Sequence, residues 1–138
     1  MLYDAIIMSV IVISVVDDMF FASKIRAVAE GMGLEISFPR SQEAVISKAR
    51  ETKPGLIVVD LHNQRIDPVA LARELKADGE LQSIKLLGFF SHVQTELQRN
   101  ALAAGFDRVV PRSVFARDLP EILAAAKNYP TDTGAITS

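Results

Sequence analysis

The chain has 138 residues, 49% of them apolar and 23% charged, with a formal net charge of −2. That is enough for one domain with its own core and too little for two of ordinary size, and it lacks the basic excess of a dedicated nucleic-acid binder. There is no cysteine and there are two histidines, His62 and His92; disulfides, thiol catalysis, Cys-ligated zinc and a histidine-rich metal site are thereby excluded.

The apolar stretch from Ala5 to Val16 is short of the ~20 residues needed to cross a bilayer. It has no basic flank, follows Asp4 and runs directly into Asp17-Asp18, which argues against a signal peptide and for a buried strand. Residues 1–8 read as an extension, residues 9–129 as the domain, and the small polar residues 130–138 as a fraying tail. The β-branched run Val10 to Val16 suits a strand buried on both faces. A helix is expected from Met19 to Glu30, with Phe21, Ile25, Val28 and Ala29 at helical spacing and Gly31 and Gly33 as its stop. Of the pair Phe20-Phe21, one ring is expected inside and the other exposed. Leu34 to Phe38 reads as a short strand. A second helix, capped by Ser41, runs to Thr52 with Ala44, Val45 and Ala49 inward, and Lys53-Pro54-Gly55 breaks it.

Leu56 to Val59 is a second buried run and ends in Asp60. Asp67 is the expected cap of a third helix, with Pro68 at its first position and its end near Ala77. Leu86 to Phe90 reads as the fourth strand. Ser91 is expected to cap a helix that ends at Ala104-Gly105. Arg108 to Val110 is the last short strand. A final helix is expected from Ala116 to Asn128, with Pro120 tolerated in its first turn.

Strand and helix thus alternate five times, the pattern of a parallel sheet covered on both faces. Ligands of such sheets bind beyond the carboxyl ends of the strands, which singles out Asp17, Asp18, Asp60, Phe90, Ser91 and Arg112. With strands one and three adjacent, as in a flavodoxin-like order, the three carboxylates are expected to converge. Two such charges 4 Å apart repel by ~4 kcal/mol at an effective dielectric of 20, so the cluster calls for protonation or a cation. Mg²⁺ is the hard, oxygen-loving choice, and beside it a carboxylate is able to act as nucleophile toward a phosphoryl group.

Asp17-Asp18 after strand one, Val58-Val59-Asp60 ending strand three and Gly105-Phe106-Asp107 before strand five resemble the receiver domains of bacterial two-component systems, over residues 9–128. The resemblance implies a (βα)5 doubly wound sandwich of sheet order 2-1-3-4-5. It implies Asp60 as phosphoacceptor, with Mg²⁺ held by Asp17, Asp18, Asp60 and the backbone carbonyl of His62. It also implies a cytoplasmic setting, a histidine kinase or phosphotransfer protein as phosphoryl source, and output to a downstream protein or through a homodimer. No nucleic acid, membrane or catalytic turnover enters this reading, beyond Asp60 taking its own phosphoryl group. The contact surface implied is the last helix with strand five and helix four.

Departures from the family pattern are equally specific. The Thr or Ser of strand four falls on Phe90, counted either from Asp60 or back from Arg112. Ser91 lies one position later and so points away on a strand of period two. The family Lys becomes Arg112, whose planar fork differs from an ammonium, and the aromatic of strand five falls on Val109. Arg112 suits either a phosphoryl contact or an internal salt bridge with the acidic cluster. The reading is an atypical single-domain receiver, with a phosphorylation-independent pseudo-receiver that binds or dimerises as the alternative. A small hydrolase is the weakest reading, for no serine elbow or P-loop is visible. Gly31-Met32-Gly33 ends a helix rather than opening one and is no dinucleotide fingerprint. Asp60-Leu61-His62 resembles the Asp-x-His motif of cobalamin-binding domains, but there the motif follows an early strand and continues to a Gly, where this chain has Arg65.

Overall fold

The computed structural model describes residues 10–128; the expected extension (1–8) and tail (130–138) lie outside the described residues. In chain order the elements are β1 (Ile11–Val15), α1 (Met19–Gly31), β2 (Glu35–Ser37), α2 (Gln42–Thr52), β3 (Leu56–Asp60), α3 (Pro68–Ala77), β4 (Lys85–Phe90), α4 (Thr95–Ala104), β5 (Arg108–Pro111), α5 (Arg112–Arg117) and α6 (Leu119–Ala124), closed by a 3₁₀ turn at Ala125–Asn128. The five strands are parallel, in the order β2-β1-β3-β4-β5, as expected.

Because side chains alternate across a strand, each inner strand feeds two cores. Ile13, Val15, Ile57, Val59 and Leu86 pack with Val45 and Ala49 of α2, Leu71 and Leu75 of α3, and Ala101 of α4. Val12, Val58, Leu87 and Phe89 face Phe21, Ile25 and Ala29 of α1, Phe115 of α5, and Leu119 and Leu123 of α6. Both faces are covered, which is why these strands read as unbroken apolar runs. Phe21, Phe89 and Phe115 form an aromatic cluster, with centroids 5.4 Å (Phe21–Phe89), 5.7 Å (Phe21–Phe115) and 4.7 Å (Phe89–Phe115) apart.

The motif residues Gly105-Phe106-Asp107 hold the α4–β5 corner. Gly105 has φ 124°, and a Cβ there would strike the Lys76 side chain. Phe106 enters the first core, and the Asp107 carboxylate accepts from the amide of Leu86 at 2.8 Å.

Two expectations are corrected. Ser91 does not cap α4, which begins at Thr95 after Gln94 with no side-chain cap. The amide of His92 instead turns to Nε2 of His62 at 3.4 Å, so 91–94 bends across the sheet edge before the helix starts. The final helix is also not continuous. It opens directly after β5 as α5 and breaks at Asp118 before α6, whose first turn holds Pro120. Continuing α5 through Pro120 would lose an amide donor and drive the ring into the carbonyl of Ala116.

Candidate functional site

The carboxyl edge of the sheet gathers the loops after β1, β3, β4 and β5. Asp60 ends the central strand β3 and is only partly exposed. Its Oδ1 accepts the amide of His62 at 2.9 Å. Burial raises its pKa above the usual carboxylate value. The His62 amide, His62 itself and the charge of Arg112 oppose that rise, and the charge of Asp17 adds to it. Asp17 and Asp60 therefore feel each other as like charges, which is the repulsion a cation would relieve.

Asp18 is placed differently from expectation. It is the N-cap of α1: Oδ1 accepts the amides of Phe20 at 2.9 Å and Phe21 at 3.1 Å, satisfying donors that a helix start leaves free. Oδ2 accepts from Arg112 at 3.1 Å. The Phe21 amide and then Arg112 hold its carboxyl below the usual range. The Arg112 guanidinium also lies 4.0 Å from the centroid of the Phe21 ring, a cation–π arrangement. The salt-bridge alternative for Arg112 is the arrangement seen.

Asp17 is approached by Arg65, with Nε 3.6 Å from Oδ1. The β3–α3 loop that carries Arg65 is shaped by Asn63, whose Oδ1 accepts the amides of Arg65 at 2.8 Å and Ile66 at 2.9 Å. Among the described residues no group of three His, Cys, Asp or Glu side chains is disposed around a metal position. The expected three-carboxylate convergence reduces to Asp17 and Asp60, with Asp18 turned to its helix and to Arg112.

Phe90 is buried at the end of β4, 9% exposed, while Ser91 is exposed. Hence no hydroxyl enters the pocket from this strand at the matching position. Val109, at the position of the family aromatic, is half-buried against the first core. Phe21 inside (6% exposed) and Phe20 outside (90%) match expectation.

Arg65 and Phe21 are site residues that sequence reasoning did not assign. Phe21 carried a signal, three residues after Asp18 and so on the same face of the first turn. Arg65 carried none beyond being a cation in the loop after Asp60.

No protein-family model matches the chain. Over 99 residues it is 32% identical to the response regulator protein VraR of Staphylococcus aureus, an alignment covering 72% of this chain and 43% of that protein. The chain thus spans less than half the length of the curated relatives it matches. Among solved structures, it superposes with a TM-score of 0.78 on the signal receiver domain of a signal transduction histidine kinase from Syntrophus aciditrophicus, at 20% identity over 94% of this chain and 98% of that one. The TM-score is 0.77 for a CheY-like response regulator receiver domain protein from Methanospirillum hungatei, at 17% identity over 91% and 99%. It is 0.74 for the receiver domain of the sensor histidine kinase PA1611 from Pseudomonas aeruginosa, described with a magnesium ion coordinated in the active-site cleft, at 16% identity over 87% and 98%. No helix among the described residues is long and apolar enough to cross a membrane. Sheet order, strand-end carboxylates and these likenesses agree: the chain has the fold of response-regulator receiver domains, with an altered pocket.

Proposed function

We propose that this chain is an atypical receiver of cytoplasmic two-component signalling, which takes a phosphoryl group on Asp60 from a histidine kinase, a phosphotransfer protein or a small donor and passes the signal to a partner protein. The observation that carries the reading is the position of Asp60: a half-buried carboxylate at the end of the central strand, with one oxygen fixed by the His62 amide. Its other oxygen attacks phosphorus, an O–P bond forms, and the donor leaves with the electrons of the bond that breaks. Water later cleaves the acyl phosphate, restoring the carboxylate and releasing inorganic phosphate.

Mg²⁺ fits the oxygens left available. Asp17, Asp60 and the backbone carbonyl of His62 are hard donors, and Mg²⁺ ordinarily takes one or two carboxylates and keeps several waters. Bound there, it would neutralise charge on the transferred group. Arg112, whose charge already acts on Asp60, is the protein's own cation for the phosphoryl oxygens.

A phosphorylation-independent binding module is the second reading. It is favoured by Phe90 standing where a hydroxyl would report the phosphoryl group and by Arg112 being engaged with Asp18. A switch needs contacts that differ between its two states, and Phe90, which has no hydrogen-bonding group, supplies none here.

Intact-mass measurement after incubation with Mg²⁺ and a small phosphodonor decides between them. A single phosphoryl adduct that is absent in Asp60→Asn supports the first reading. No adduct on the folded wild-type protein overturns it and leaves the second.

A further inference from the structure

The amino edge of the sheet, opposite Asp60, carries a cavity of about 490 Å³ between the starts of β3, β4 and β5 and the segment from Asp118 to Ala125. Leu56 and Asp60 are the two ends of the five-residue strand β3, about 13 Å apart at ~3.3 Å per residue, so the cavity is separate from the acidic pocket. Strand register builds it. Leu56 pairs with Lys85 and Leu87 with Arg108, and side chains two apart on a strand share a face, so all four project from one face of the sheet. Leu56 and Leu87 join Ile122 of α6 in one buried cluster and form the floor. Lys85 and Arg108 are exposed and form the rim. A volume within ~300–1,000 Å³ and an apolar lining with a few placed polar groups are the features of small-molecule sites.

The charges of the lining select the ligand. Lys85, Arg108, Asp118 and Glu121 all border the cavity. Both oxygens of Asp118 accept from the neighbouring Arg117, at 2.8 and 3.0 Å, and the charge of Arg108 acts on Asp118 only as a lesser influence. Among the described residues, the side chains of Lys85, Arg108 and Glu121 make no hydrogen bond or ion pair. With Asp118 satisfied by Arg117, two cations face one anion, and the wall keeps one net positive charge.

We infer that this cavity binds a small amphipathic monoanion, an aromatic or alkyl carboxylate. Its apolar body rests on Leu56, Leu87 and Ile122, and its carboxylate lies between Lys85 and Arg108. The arginine offers a planar pair of donors and the lysine a point charge. Glu121 repels a second negative charge and so discriminates against dianions.

The test is a ¹H–¹⁵N nuclear magnetic resonance titration of the full chain with sodium 2-naphthoate, and with 2-naphthalenemethanol as its neutral counterpart. The expected result is saturable binding, with shifts confined to the amides around Leu56, Lys85 to Leu87, Arg108 and Asp118 to Ala125, and those of Asp17, Asp60 and His62 unmoved. Lys85→Gln and Arg108→Gln each weaken it about tenfold, the order of one charge-assisted hydrogen bond. Glu121→Gln tightens it, and the neutral alcohol binds about tenfold more weakly. Ala125→Trp, on the exposed rim, fills the cavity and abolishes binding without altering the buried core. Equal binding of acid and alcohol, indifference to both cation changes, shifts centred on the exposed Met19, Phe20 and Val93, or no saturable binding to the folded wild-type chain would overturn the inference.

Discussion

Arg112 joins two residues of the first turn of α1 at once: its guanidinium donates to Oδ2 of Asp18 at 3.1 Å and lies 4.0 Å from the centroid of Phe21. The residue that opens α5 is thereby fastened to the residue that caps α1, and a carboxylate expected to face a metal is neutralised by the chain itself. Arg112→Gln removes that cation and frees Asp18. The expected outcome is Mg²⁺ affinity raised about fivefold, the order expected for losing one solvent-screened like charge near the ion. Calorimetric titration measures it, and an unchanged or weaker affinity would show that Arg112 does not compete with the metal.

Asp60 carries a raised pKa, caused first by burial. Because its folded-state value lies above its unfolded one, its contribution to stability is fully present below pH ~3.8 and is lost as pH rises through the folded pKa. Above that window the buried charge is a cost. Asp60→Asn keeps an oxygen to accept the His62 amide and removes the charge, so it is expected to stabilise the protein at pH 7 by about 1 kcal/mol. The gain should vanish below pH 4. Urea unfolding at both pH values tests this.

Asp18 has the opposite sign. Its pKa is lowered, first by the Phe21 amide and then by Arg112, so its stabilisation is present above the ordinary value of 3.8 and is lost as pH falls through the depressed one. Asp18→Asn retains a capping oxygen without the charge. It is expected to lower the melting temperature at pH 7 and to converge on wild type as the pH falls through the depressed value, a convergence that a purely steric effect would not produce.

Ser14 is 0% exposed in β1, and its hydroxyl has no hydrogen-bond partner among the described residues. A buried polar group in that state costs about 1–3 kcal/mol. Ser14→Ala, nearly the same size, is expected to raise stability by about 1 kcal/mol, read as a higher urea midpoint with an unchanged slope.

Gly55 faces the backbone of Ala126, and a Cβ there would overlap its carbonyl oxygen. Backbone yields far less readily than the tip of a side chain, so Gly55→Ala is expected to destabilise by about 1–3 kcal/mol. Gly31→Ala, where a Cβ would meet nothing within 4 Å, serves as the control and should have a much smaller effect in the same unfolding experiment.

The sheet and most helices were legible because local and global signals agree in them. The apolar runs at Ile11–Val15 and Leu56–Asp60 are strands buried on both faces, and Asp67-Pro68 caps and opens α3 where its chemistry requires. The last helix was not legible as two pieces, since its periodicity continues across Pro120 and only the register after Pro111 shows that a helix has already begun. The start of α4 was misread because Ser91 is a good cap in isolation, while the His62 ring that draws the amide of His92 away is distant in sequence. In the pocket, the strand-end positions of Asp17, Asp18, Asp60, Phe90 and Arg112 followed from the alternation of elements. The use made of Asp18 did not follow, because a carboxylate at a helix start serves equally as cap, ion-pair partner or metal ligand until the position of Arg112 is known.

The two borders of the sheet are β2, three residues long, and β5, four residues long and ending in Pro111. A border strand invites pairing by another chain in proportion to the row of free amides and carbonyls it offers. Here one border is too brief to template a neighbour, and the other carries an arginine at its start and a residue without an amide hydrogen at its end. The architecture therefore discourages copies from joining sheet to sheet into a continuous ribbon.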